Sequence, residues 1–294
     1  MKIGVIGLGY VGQATYEGLR NYYEVIWNDN ADEPMGVQRA TDRERTVRDR
    51  GLPSDIVKCD IVFICVPTPM DADGAANTTI VESVIDGLTR YASSIKTEPP
   101  ILVIKSTVPP GTTARLDRKF LLFPIVFNPE FLTEANYLSD FANQDHIIIG
   151  GPRPASTQLK QMYTLPFPNA HIVKTDSTYA ELVKYMTNCF LATKVSFANE
   201  MYQICQKFDV DYDKVVEYAT LDHRMGTSHW NVPGPDGHVG WSGSCFVKDL
   251  NALMFIAEQL EVPVSTMRGA WSTNLWVRPE KDWETLTGRA VTKE

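Results

Sequence analysis

Short apolar runs alternate with helical segments through the first 175 residues of the chain. The runs are rich in Val, Ile and Phe and are apolar almost throughout, which is typical of buried parallel strands. They are Lys2–Ile6, Glu24–Asn28, Ile61–Val66, Ile101–Lys105, Pro124–Phe127, His146–Ile149 and Ala170–Val173. Segments with a helical pattern, such as Val11–Arg20 and Thr79–Tyr91, lie between them. Repeated strand–helix units predict an α/β fold with a doubly wound parallel sheet.

The pattern changes after about Asp176. Residues Thr178–Phe208 predict one long helix that is apolar on more than one face, so it should be buried against more than its own domain. Further helices are predicted at Asp213–Ala219, Cys245–Leu260 and Val264–Trp276, and no strand pattern occurs. We therefore predict a sheet domain over residues 1–175 and an all-helical domain over 176–277. A polar tail, 278–294, is expected to be loosely ordered.

Composition and charge narrow the possible partners. The chain is 44% hydrophobic and 22% charged, as in an ordinary globular protein. Its net charge of −8 disfavours nucleic acid and anionic membranes as partners. No signal-peptide pattern or membrane-length apolar stretch occurs, so we expect a cytoplasmic protein. The mixed-charge segment Thr41–Arg50 is interpreted as a solvated helix or loop without a role.

The five cysteines and five histidines do not form a metal-binding pattern. The cysteine number is odd, no Cys-x-x-Cys occurs, and the histidines are scattered. We therefore expect no metal and reduced thiols. Four of the cysteines are interpreted as small buried hydrophobes, namely Cys59, Cys65, Cys189 and Cys205.

A glycine-rich turn follows the first predicted strand. Residues 4–12, GVIGLGYVG, place Gly7, Gly9 and Gly12 in the pattern Gly-x-Gly-x-x-Gly before a helix. In such a turn the first glycine allows the tight bend, the second lets the backbone approach a pyrophosphate, and the third lets helix and strand pack closely. The helix N-terminus, at Tyr10 and Val11, offers N–H groups to phosphates. The turn predicts a Rossmann-type dinucleotide-binding domain, with a glycine-rich turn that binds no ligand as the alternative.

An acidic residue lies at the end of the second predicted strand. Asp29 follows Gly9 by twenty residues, the spacing at which a carboxylate accepts hydrogen bonds from the adenosine ribose hydroxyls. A carboxylate there would also repel a 2′-phosphate. The sequence therefore favours NAD over NADP, the alternative being a solvated acid at a strand end.

Loops with candidate binding residues follow three later strands. Val66 and Lys105 end two predicted strands, at the edge where ligands bind in open α/β sheets. The loops after them contain Val66-Pro67-Thr68-Pro69 and Lys105-Ser106-Thr107-Val108-Pro109-Pro110-Gly111-Thr112, whose prolines make them rigid. A third segment, Asn128-Pro129-Glu130-Phe131-Leu132, follows the next strand.

Two groups of polar residues share helix faces. Lys184 and Asn188 are one turn apart in Glu181-x-x-Lys184-x-x-x-Asn188, and a lysine on this apolar helix would be costly to bury without a task. Its alternative is a surface lysine. Cys245, Lys248 and Asp249 share a face at a helix start within Gly243-Ser244-Cys245-Phe246-x-Lys248-Asp249. A thiol at a helix N-terminus beside a lysine should have a lowered pKa, so Cys245 is the candidate nucleophile.

In this order, and together with Gly7-Leu8-Gly9-Tyr10-Val11-Gly12, these motifs resemble those of the UDP-glucose/GDP-mannose dehydrogenase family over roughly residues 1–275. The resemblance implies two hydride transfers to NAD that oxidise the primary alcohol at C6 of a nucleotide sugar to the aldehyde and then to the acid. A thiolate suits the second oxidation, since it forms a thiohemiacetal and then a thioester. UDP-glucose to UDP-glucuronate is the favoured reaction, with GDP-mannose and N-acetylated hexosamine nucleotides left open.

The resemblance also implies roles for individual residues. Cys245 would be the nucleophile, Lys184, Asn188 and Thr107 would hold oxygens at the reacting carbon, and Glu130 and Asp249 would activate water and handle protons. Lys248 would fix Asp249 or lower the pKa of the thiol. Whether Lys184 stabilises an oxyanion or carries a proton stays open. Cofactor contacts after the glycine turn would be Val66, Pro67, Thr68, Ser106 and Thr107. Substrate contacts would be Glu130, Phe131, Leu132, Lys184, Asn188, Arg224 and Gly243.

Assembly and departures from the family pattern follow from the same resemblance. Arg224 matches an arginine that reaches the neighbouring subunit's substrate, and with the long apolar helix it implies a homodimer. Ser242 and Val247 stand where the family has Gly and Pro. Family members continue into a second Rossmann-like domain, so we expect a form that lacks this C-terminal nucleotide-binding domain, with a dimer neighbour or a separate chain completing the site. The competing functions are a single-hydride β-hydroxyacid dehydrogenase, which the Gly-Ser-Cys-Phe-x-Lys-Asp segment disfavours, and a non-catalytic NAD-binding module.

Overall fold

The computed structural model describes residues 1–30, 50–93 and 98–292. The segment Thr41–Arg50, apart from Arg50, lies outside them. The chain divides into two compact units. One, here called the sheet unit, comprises Met1–Thr68 and Thr78–Lys184, and the other, the helical unit, comprises Pro69–Asn77 and Tyr185–Glu294. The division falls inside the long helix.

The sheet unit contains one seven-stranded sheet in the order β2-β1-β3-β4-β5-β6-β7. Its strands are β1 (Lys2–Ile6), β2 (Glu24–Asn28), β3 (Ile61–Ile64), β4 (Ile101–Ile104), β5 (Ile125–Phe127), β6 (His146–Gly150) and β7 (His171–Thr175). The first five pair in parallel, as predicted. Strand β6 is antiparallel to β5 and meets it only at Phe127 and Gly150, whereas β7 is parallel to β6. An apolar run does not indicate the direction of its strand, so the sequence could not predict that β6 is antiparallel to β5.

Helices cover both faces of the sheet, as expected for a doubly wound fold. They are α1 (Tyr10–Leu19), α2 (Pro53–Ile56), α3 (Thr79–Ala92), α4 (Thr112–Lys119), α5 (Tyr137–Ala142), α6 (Ala155–Thr164) and the first turns of α7 (Ser177–Phe208). Successive residues of β3 belong to different cores: Phe63 packs in one apolar cluster, and Val62 and Ile64 in the other. This alternation is the two-residue period of a strand buried on both faces.

The helical unit contains the rest of α7, then α8 (Tyr212–Ala219), α9 (Cys245–Gln259) and α10 (Ser265–Val277). Short 3-10 turns lie at His223–Met225 and Asp282–Thr285. In the part of this unit that the structure describes, extended backbone occurs only as isolated bridges, such as Met70 with Ala76. The predicted all-helical character therefore agrees with the structure, and the predicted starts and ends of its helices lie within one residue of those observed.

The expectation of a loosely ordered tail is wrong for residues 278–292. Trp283 is 2% exposed and Ala290 is fully buried, and both belong to the apolar cluster of the helical unit that includes Tyr185 and Trp241. Arg278 donates to Asp282 at 2.7 and 2.8 Å and pairs with Asp236 at 2.8 Å. The polar average composition of the segment concealed its buried tryptophan and its buried arginine, whose two acidic partners are partly exposed.

Candidate active site

The three glycines of the turn after β1 differ in what surrounds them. Gly7 has φ +85°, and a Cβ there would lie 2.7 Å from the carbonyl oxygen of Cys65. A Cβ on Gly12 would lie 1.8 Å from the carbonyl oxygen of Gly7. Nothing lies within 4 Å of a Cβ built on Gly9, which caps the N-terminus of α1. Gly7 and Gly12 are therefore required by the turn, whereas Gly9 leaves open space where a pyrophosphate can approach the backbone.

The carboxylate of Asp29 supports this turn directly. Its Oδ2 accepts a hydrogen bond from the Leu8 amide at 2.6 Å, and the Gly7 amide donates to the Asn28 carbonyl at 2.9 Å. Asp29 therefore lies beside the glycine-rich turn, at the carboxyl end of β2. The sequence pattern did not indicate this contact with Leu8. Binding of ribose by Asp29 stays a prediction.

The loops after β3 and β4 are tied to each other. Ser106 Oγ donates to the Val66 carbonyl at 2.7 Å, and Thr68 Oγ1 donates to the Thr107 carbonyl at 2.8 Å. Thr68, Ser106 and Thr107 are all buried. These bonds hold the predicted cofactor loops, Pro67 included, as one layer at the carboxyl edge of the sheet.

Glu181, which the motif contained but to which no role was assigned, caps helix α4. Its carboxylate oxygens accept hydrogen bonds from the amides of Gly111 at 2.6 Å and Thr113 at 2.8 Å. Burial raises the pKa of Glu181 above its usual value. The residue thus satisfies the orphan N–H groups at the helix start that closes the Lys105–Thr112 loop.

Lys184 and Glu130 form a buried ion pair. Lys184 Nζ lies 2.9 Å from Glu130 Oε1 and donates to the Glu130 carbonyl at 2.6 Å, with the side chains 3% and 8% exposed. The Leu132 amide donates to Glu130 Oε2 at 2.7 Å. Although burial opposes ionisation, the Lys184 ammonium and this amide hold the pKa of Glu130 below its usual value. The lysine predicted to have a task is therefore buried, oriented and paired, and the surface-lysine alternative is excluded.

Phe131 contacts the Lys184 ammonium and lines a cavity of the sheet unit. The Lys184 ammonium lies 5.6 Å from the centre of the Phe131 ring, and the centre of the His146 ring lies 5.0 Å from it. A cavity of about 300 Å³ is lined by Glu130, Phe131, Leu132 and Lys105, among others. The three predicted substrate residues of this segment therefore line one cavity of the sheet unit.

A second buried lysine, Lys105, lies at the end of β4 and received no role from the sequence. Its Nζ donates to Asn128 Oδ1 at 2.9 Å, and the same oxygen accepts from the Tyr163 hydroxyl at 2.7 Å. Burial lowers the pKa of Lys105 to about 8, against the opposing influence of Cys65 and Glu130. Only the fold brings Asn128 to this ammonium and Tyr163 to Asn128, because Asn128 lies in the loop after β5 and Tyr163 lies on α6.

In the helical unit, Cys245 is the first residue of α9. It follows Gly243, which has φ +77° with open space around a built Cβ, and Ser244, whose Oγ lies 4.0 Å from the sulfur. The thiol is half-buried, and none of the five cysteines, all of which the structure describes, forms a disulfide. The sequence prediction of a thiol at a helix N-terminus after glycine is confirmed. The lowered pKa of this thiol stays a prediction.

A polar network lies one turn after Cys245 along α9. Asp249 is 1% exposed; its Oδ2 accepts from Asn188 Nδ2 at 2.6 Å and its Oδ1 from Lys248 Nζ at 2.5 Å. Of the two roles expected for Lys248, the structure therefore supports the fixing of Asp249. The network joins Asn188 on α7 to Lys248 and Asp249 on α9, the helix that begins with Cys245.

Residues that the sequence did not single out hold the loop before Cys245. Asn199 Oδ1 accepts from the Gly240 amide at 2.9 Å, Asn274 bonds both backbone groups of Trp241, and Ser196 Oγ accepts from Trp241 Nε1. The left-handed residues of the loop are Gly240 and Gly243, not Ser242. Serine at position 242 therefore meets no backbone strain, and the departure from the family's glycine is accommodated.

Arg224 is placed differently from the other predicted substrate residues. Its side chain is 90% exposed and pairs with Asp222, with Nε at 2.9 and 3.1 Å from the two carboxylate oxygens.

In the described part of the chain, no group of three or more His, Cys, Asp or Glu residues is arranged to hold a metal ion. Over the same residues, no helix combines the length and apolarity needed to span a membrane.

The sheet topology and the glycine turn together are those of an NAD-dependent dehydrogenase. The glycine turn follows β1, which lies between β2 and β3 at the point where the strand order reverses, the usual dinucleotide position in such sheets. The sheet unit also contains the buried Lys184–Glu130 ion pair, and the helical unit contains the half-buried thiol of Cys245.

Comparison with known proteins identifies the family. Residues 178–275 match the central domain of the UDP-glucose/GDP-mannose dehydrogenase family, and residues 35–165 match its NAD binding domain. The chain is 32% identical to the putative UDP-glucose 6-dehydrogenase YtcA of Bacillus subtilis, over 98% of this chain and 72% of that protein. It is 30% identical to UDP-glucose 6-dehydrogenase TuaD of the same organism, over 93% of this chain and 62% of that protein.

A solved structure is similar throughout the described fold. The UDP-glucose dehydrogenase of the archaeon Pyrobaculum islandicum superposes with a TM-score of 0.83 at 31% identity, over 94% of this chain and 68% of that one. The chain belongs to the UDP-glucose/GDP-mannose dehydrogenase family, and it spans about two thirds of the length of these relatives. The predicted family, the fold class and NAD as the cofactor are confirmed.

Proposed function

We propose that this chain catalyses the two-step oxidation of a nucleotide sugar at its C6 primary alcohol to the uronic acid, with UDP-glucose as substrate and UDP-glucuronate as product. The observation that carries the proposal is the half-buried Cys245 at the start of α9, with Asp249 one turn on and held by Asn188 and Lys248. The substrate assignment is supported by relatives named as UDP-glucose 6-dehydrogenases. The reduced thiols suit the cytoplasm.

Residues that would hold NAD belong to the sheet unit. The Gly7–Gly12 turn and the N-terminus of α1 would bind the pyrophosphate, and Asp29 the adenosine ribose. The loops Val66–Thr68 and Ser106–Thr107 would line the rest of the cofactor site. Bound NAD supplies the hydride acceptor for both oxidations.

In the first oxidation, the C6 hydroxyl would lose its proton to Glu130 or Asp249 as a hydride leaves the carbon for NAD, and an aldehyde would form. Lys184 would donate a hydrogen bond to this oxygen, with its ammonium oriented by Glu130. Asn188 and Thr107 would add further hydrogen bonds. Such fixed donors stabilise the negative charge that develops on oxygen in the transition state.

The second oxidation uses the thiol. The Cys245 thiol would lose its proton as Sγ bonds to the aldehyde carbon, the C=O double bond would become a single bond, and the oxygen would take up a proton, which gives a thiohemiacetal. Loss of a second hydride from this carbon and of the hydroxyl proton gives a thioester. Water then adds, the C–S bond breaks, and the carboxylate and the free thiol are released. Asp249 or Glu130 would accept the proton of the attacking water.

The stoichiometry tests this proposal. The purified chain, incubated with NAD and UDP-glucose, should form two NADH and one carboxylate per sugar, followed by absorbance and mass spectrometry. Cys245→Ala should abolish acid formation and leave NAD affinity unchanged, whereas Cys59→Ala, at a buried thiol of the sheet unit, should keep both oxidations. One NADH with a stable aldehyde would exclude the covalent scheme and favour a single-hydride enzyme. NAD binding without turnover of any nucleotide sugar would favour a non-catalytic module.

We further propose that the protein is a homodimer built on α7. Five large apolar side chains at helical spacing are 46–75% exposed along one stripe of this helix, namely Tyr179, Leu182, Met186, Phe190 and Phe197. The stripe is about 27 Å long at 1.5 Å rise per residue. A second copy is its proposed occupant, because a two-fold axis across a straight helix pairs the same stripe with itself. The exposed Arg224 would then serve the neighbour's substrate.

Light scattering tests the dimer. Phe190→Lys should give monomers at micromolar concentration, because the charge would be buried at the centre of the stripe. Leu165→Lys, at a residue 58% exposed in the sheet unit, should leave the dimer intact. A monomeric wild-type chain would contradict the proposal.

A further inference from the structure

The loop that carries Arg224 is bound to helix α7 through Lys194. Lys194 Nζ donates to the Met225 carbonyl at 2.9 Å and to the Gly226 carbonyl at 3.5 Å. These are the two residues directly after Arg224. The guanidinium itself is held only locally, by Asp222, among the contacts that the structure describes for it. The backbone position of Arg224 therefore depends on what fixes residues 225 and 226.

Trp230 completes this clamp. Its ring lies 4.5 Å from Lys194 Nζ, and its Nε1 donates to the same Gly226 carbonyl at 2.8 Å. Gly226 has φ +61° and ψ 157°, a conformation that is essentially restricted to glycine. The Gly226 carbonyl thus accepts from both the lysine and the tryptophan, and the ammonium is additionally attracted by the ring face.

The clamp is anchored in a buried cluster. Trp230 is 7% exposed and packs with Ala198, Tyr212 and Val232. The Tyr212 hydroxyl donates to the Trp230 carbonyl at 2.6 Å. Lys194 is half-buried, and this burial lowers the pKa of its ammonium. The loop after Arg224 is therefore fixed to the core of the helical unit rather than only to its own turn.

We infer that Lys194 is a positioning residue that sets where Arg224 can reach, through its bonds to the backbone of residues 225 and 226. This inference rests on the proposed function, in which Arg224 serves the neighbouring subunit's substrate. Arginine at position 194 would offer donors to both carbonyls and a flat cation to the tryptophan ring. Methionine would fill similar space without any donor, so that the loop would lose its link to α7.

The first experiment separates KM from kcat in the full chain. Lys194→Met should raise KM for UDP-glucose about tenfold, the loss expected for hydrogen bonds from a charged donor, and should leave the affinity for NAD unchanged. Lys194→Arg should restore KM to within about twofold. Lys207→Met changes an exposed lysine in the last turn of the same helix and should have no effect. An unchanged KM in Lys194→Met would overturn the inference.

A mixed dimer tests the positioning role itself. One subunit carries Lys194→Met with an intact thiol, and the other carries Cys245→Ala with an intact clamp, isolated by two different tags. The single live site then receives Arg224 from the intact clamp, so KM should return to within about twofold of wild type. A KM that stays elevated would show that Lys194 acts only within its own subunit, and would overturn the inference.

Hydrogen exchange gives a readout that does not depend on activity. Amides of residues 224–230 should exchange about tenfold faster in Lys194→Met than in wild type, and at the wild-type rate in Lys207→Met. Equal exchange in all three would overturn the inference. If the wild-type chain oxidises no nucleotide sugar while this loop is loosened by Lys194→Met, the clamp stands and the proposed function fails.

Discussion

Replacement of Glu130 by Gln tests whether the buried ion pair with Lys184 is required by the fold. The carboxylate accepts from Lys184 Nζ through one oxygen and from the Leu132 amide through the other. Glutamine has one acceptor oxygen, and its NH₂ group would face one of these two donors. It also leaves the buried ammonium without its counter-charge. Loss of one partner from a buried pair costs about 3–5 kcal/mol in free energy of unfolding.

This cost should appear as a lower melting temperature. At about 2–4 °C per kcal/mol for a domain of this size, Glu130→Gln should lower Tm by roughly 6–20 °C, measured by circular dichroism. The control is Glu82→Gln, whose partners Arg115 and Lys119 are about half exposed, and it should cost no more than about 1 kcal/mol. Equal changes in Tm for the two variants would refute the reasoning.

The same pair has a predictable pH dependence. Because the folded-state pKa of Glu130 is lowered, its contribution is present above the unfolded value of about 4.3 and is lost as pH falls through the lower folded value. The difference in stability between wild type and Glu130→Gln should therefore stay constant from pH 8 to about pH 5 and narrow below about pH 4. A difference that narrows already between pH 8 and 6 would assign the effect to another group.

Three further outcomes are expected. Gly12→Ala should abolish NAD binding and lower Tm, because its Cβ would overlap the Gly7 carbonyl. Gly9→Ala should lower the free energy of unfolding by about 1 kcal/mol or less, since Gly9 caps a helix, and should weaken NAD binding selectively, as measured by calorimetry. Asp29→Asn should reduce the preference for NAD over NADP by about tenfold in dissociation constants, since it removes the charge that repels a 2′-phosphate. Trp283→Ala should lower the free energy of unfolding by about 3–5 kcal/mol, while Trp276→Ala, at a residue 66% exposed, should change it by less than about 0.5 kcal/mol in urea titrations.

The candidate site was predictable where its chemistry is local in the chain. The positions of the Gly7–Gly12 turn and of Cys245 relative to the following helices depend on neighbouring residues, and both are confirmed. Lys184 was expected to be buried with a task because a charge on an apolar helix face is costly. Its partner Glu130 was predicted as a site residue, but the pairing of the two was not, since 54 residues separate them.

The network around Lys105 shows what the pattern does not contain. Its hydrogen-bond partner Asn128 is 23 residues away along the chain, and Tyr163, which donates to the same Asn128 oxygen, is 35 residues beyond Asn128. An apolar run tells that a strand is buried, but it carries no information about which side chains the neighbouring elements bring to its end. The same limit applies to Glu181, whose capping bonds cross to a helix start about 70 residues earlier.

The sequence by itself determined the alternating strand–helix order, the helix limits of the second half, the nucleotide-type turn and the thiol at a helix start. These follow from the 2.0 and 3.6 residue periods and from glycine's backbone freedom, which act over a few residues. Only the tertiary structure decided the antiparallel direction of β6, the packing of Trp283 in the tail and the clamp of Lys194 on the Arg224 loop. Each of these depends on contacts between segments distant in the chain, where the energy of burial and pairing is set by the partner rather than by the local pattern.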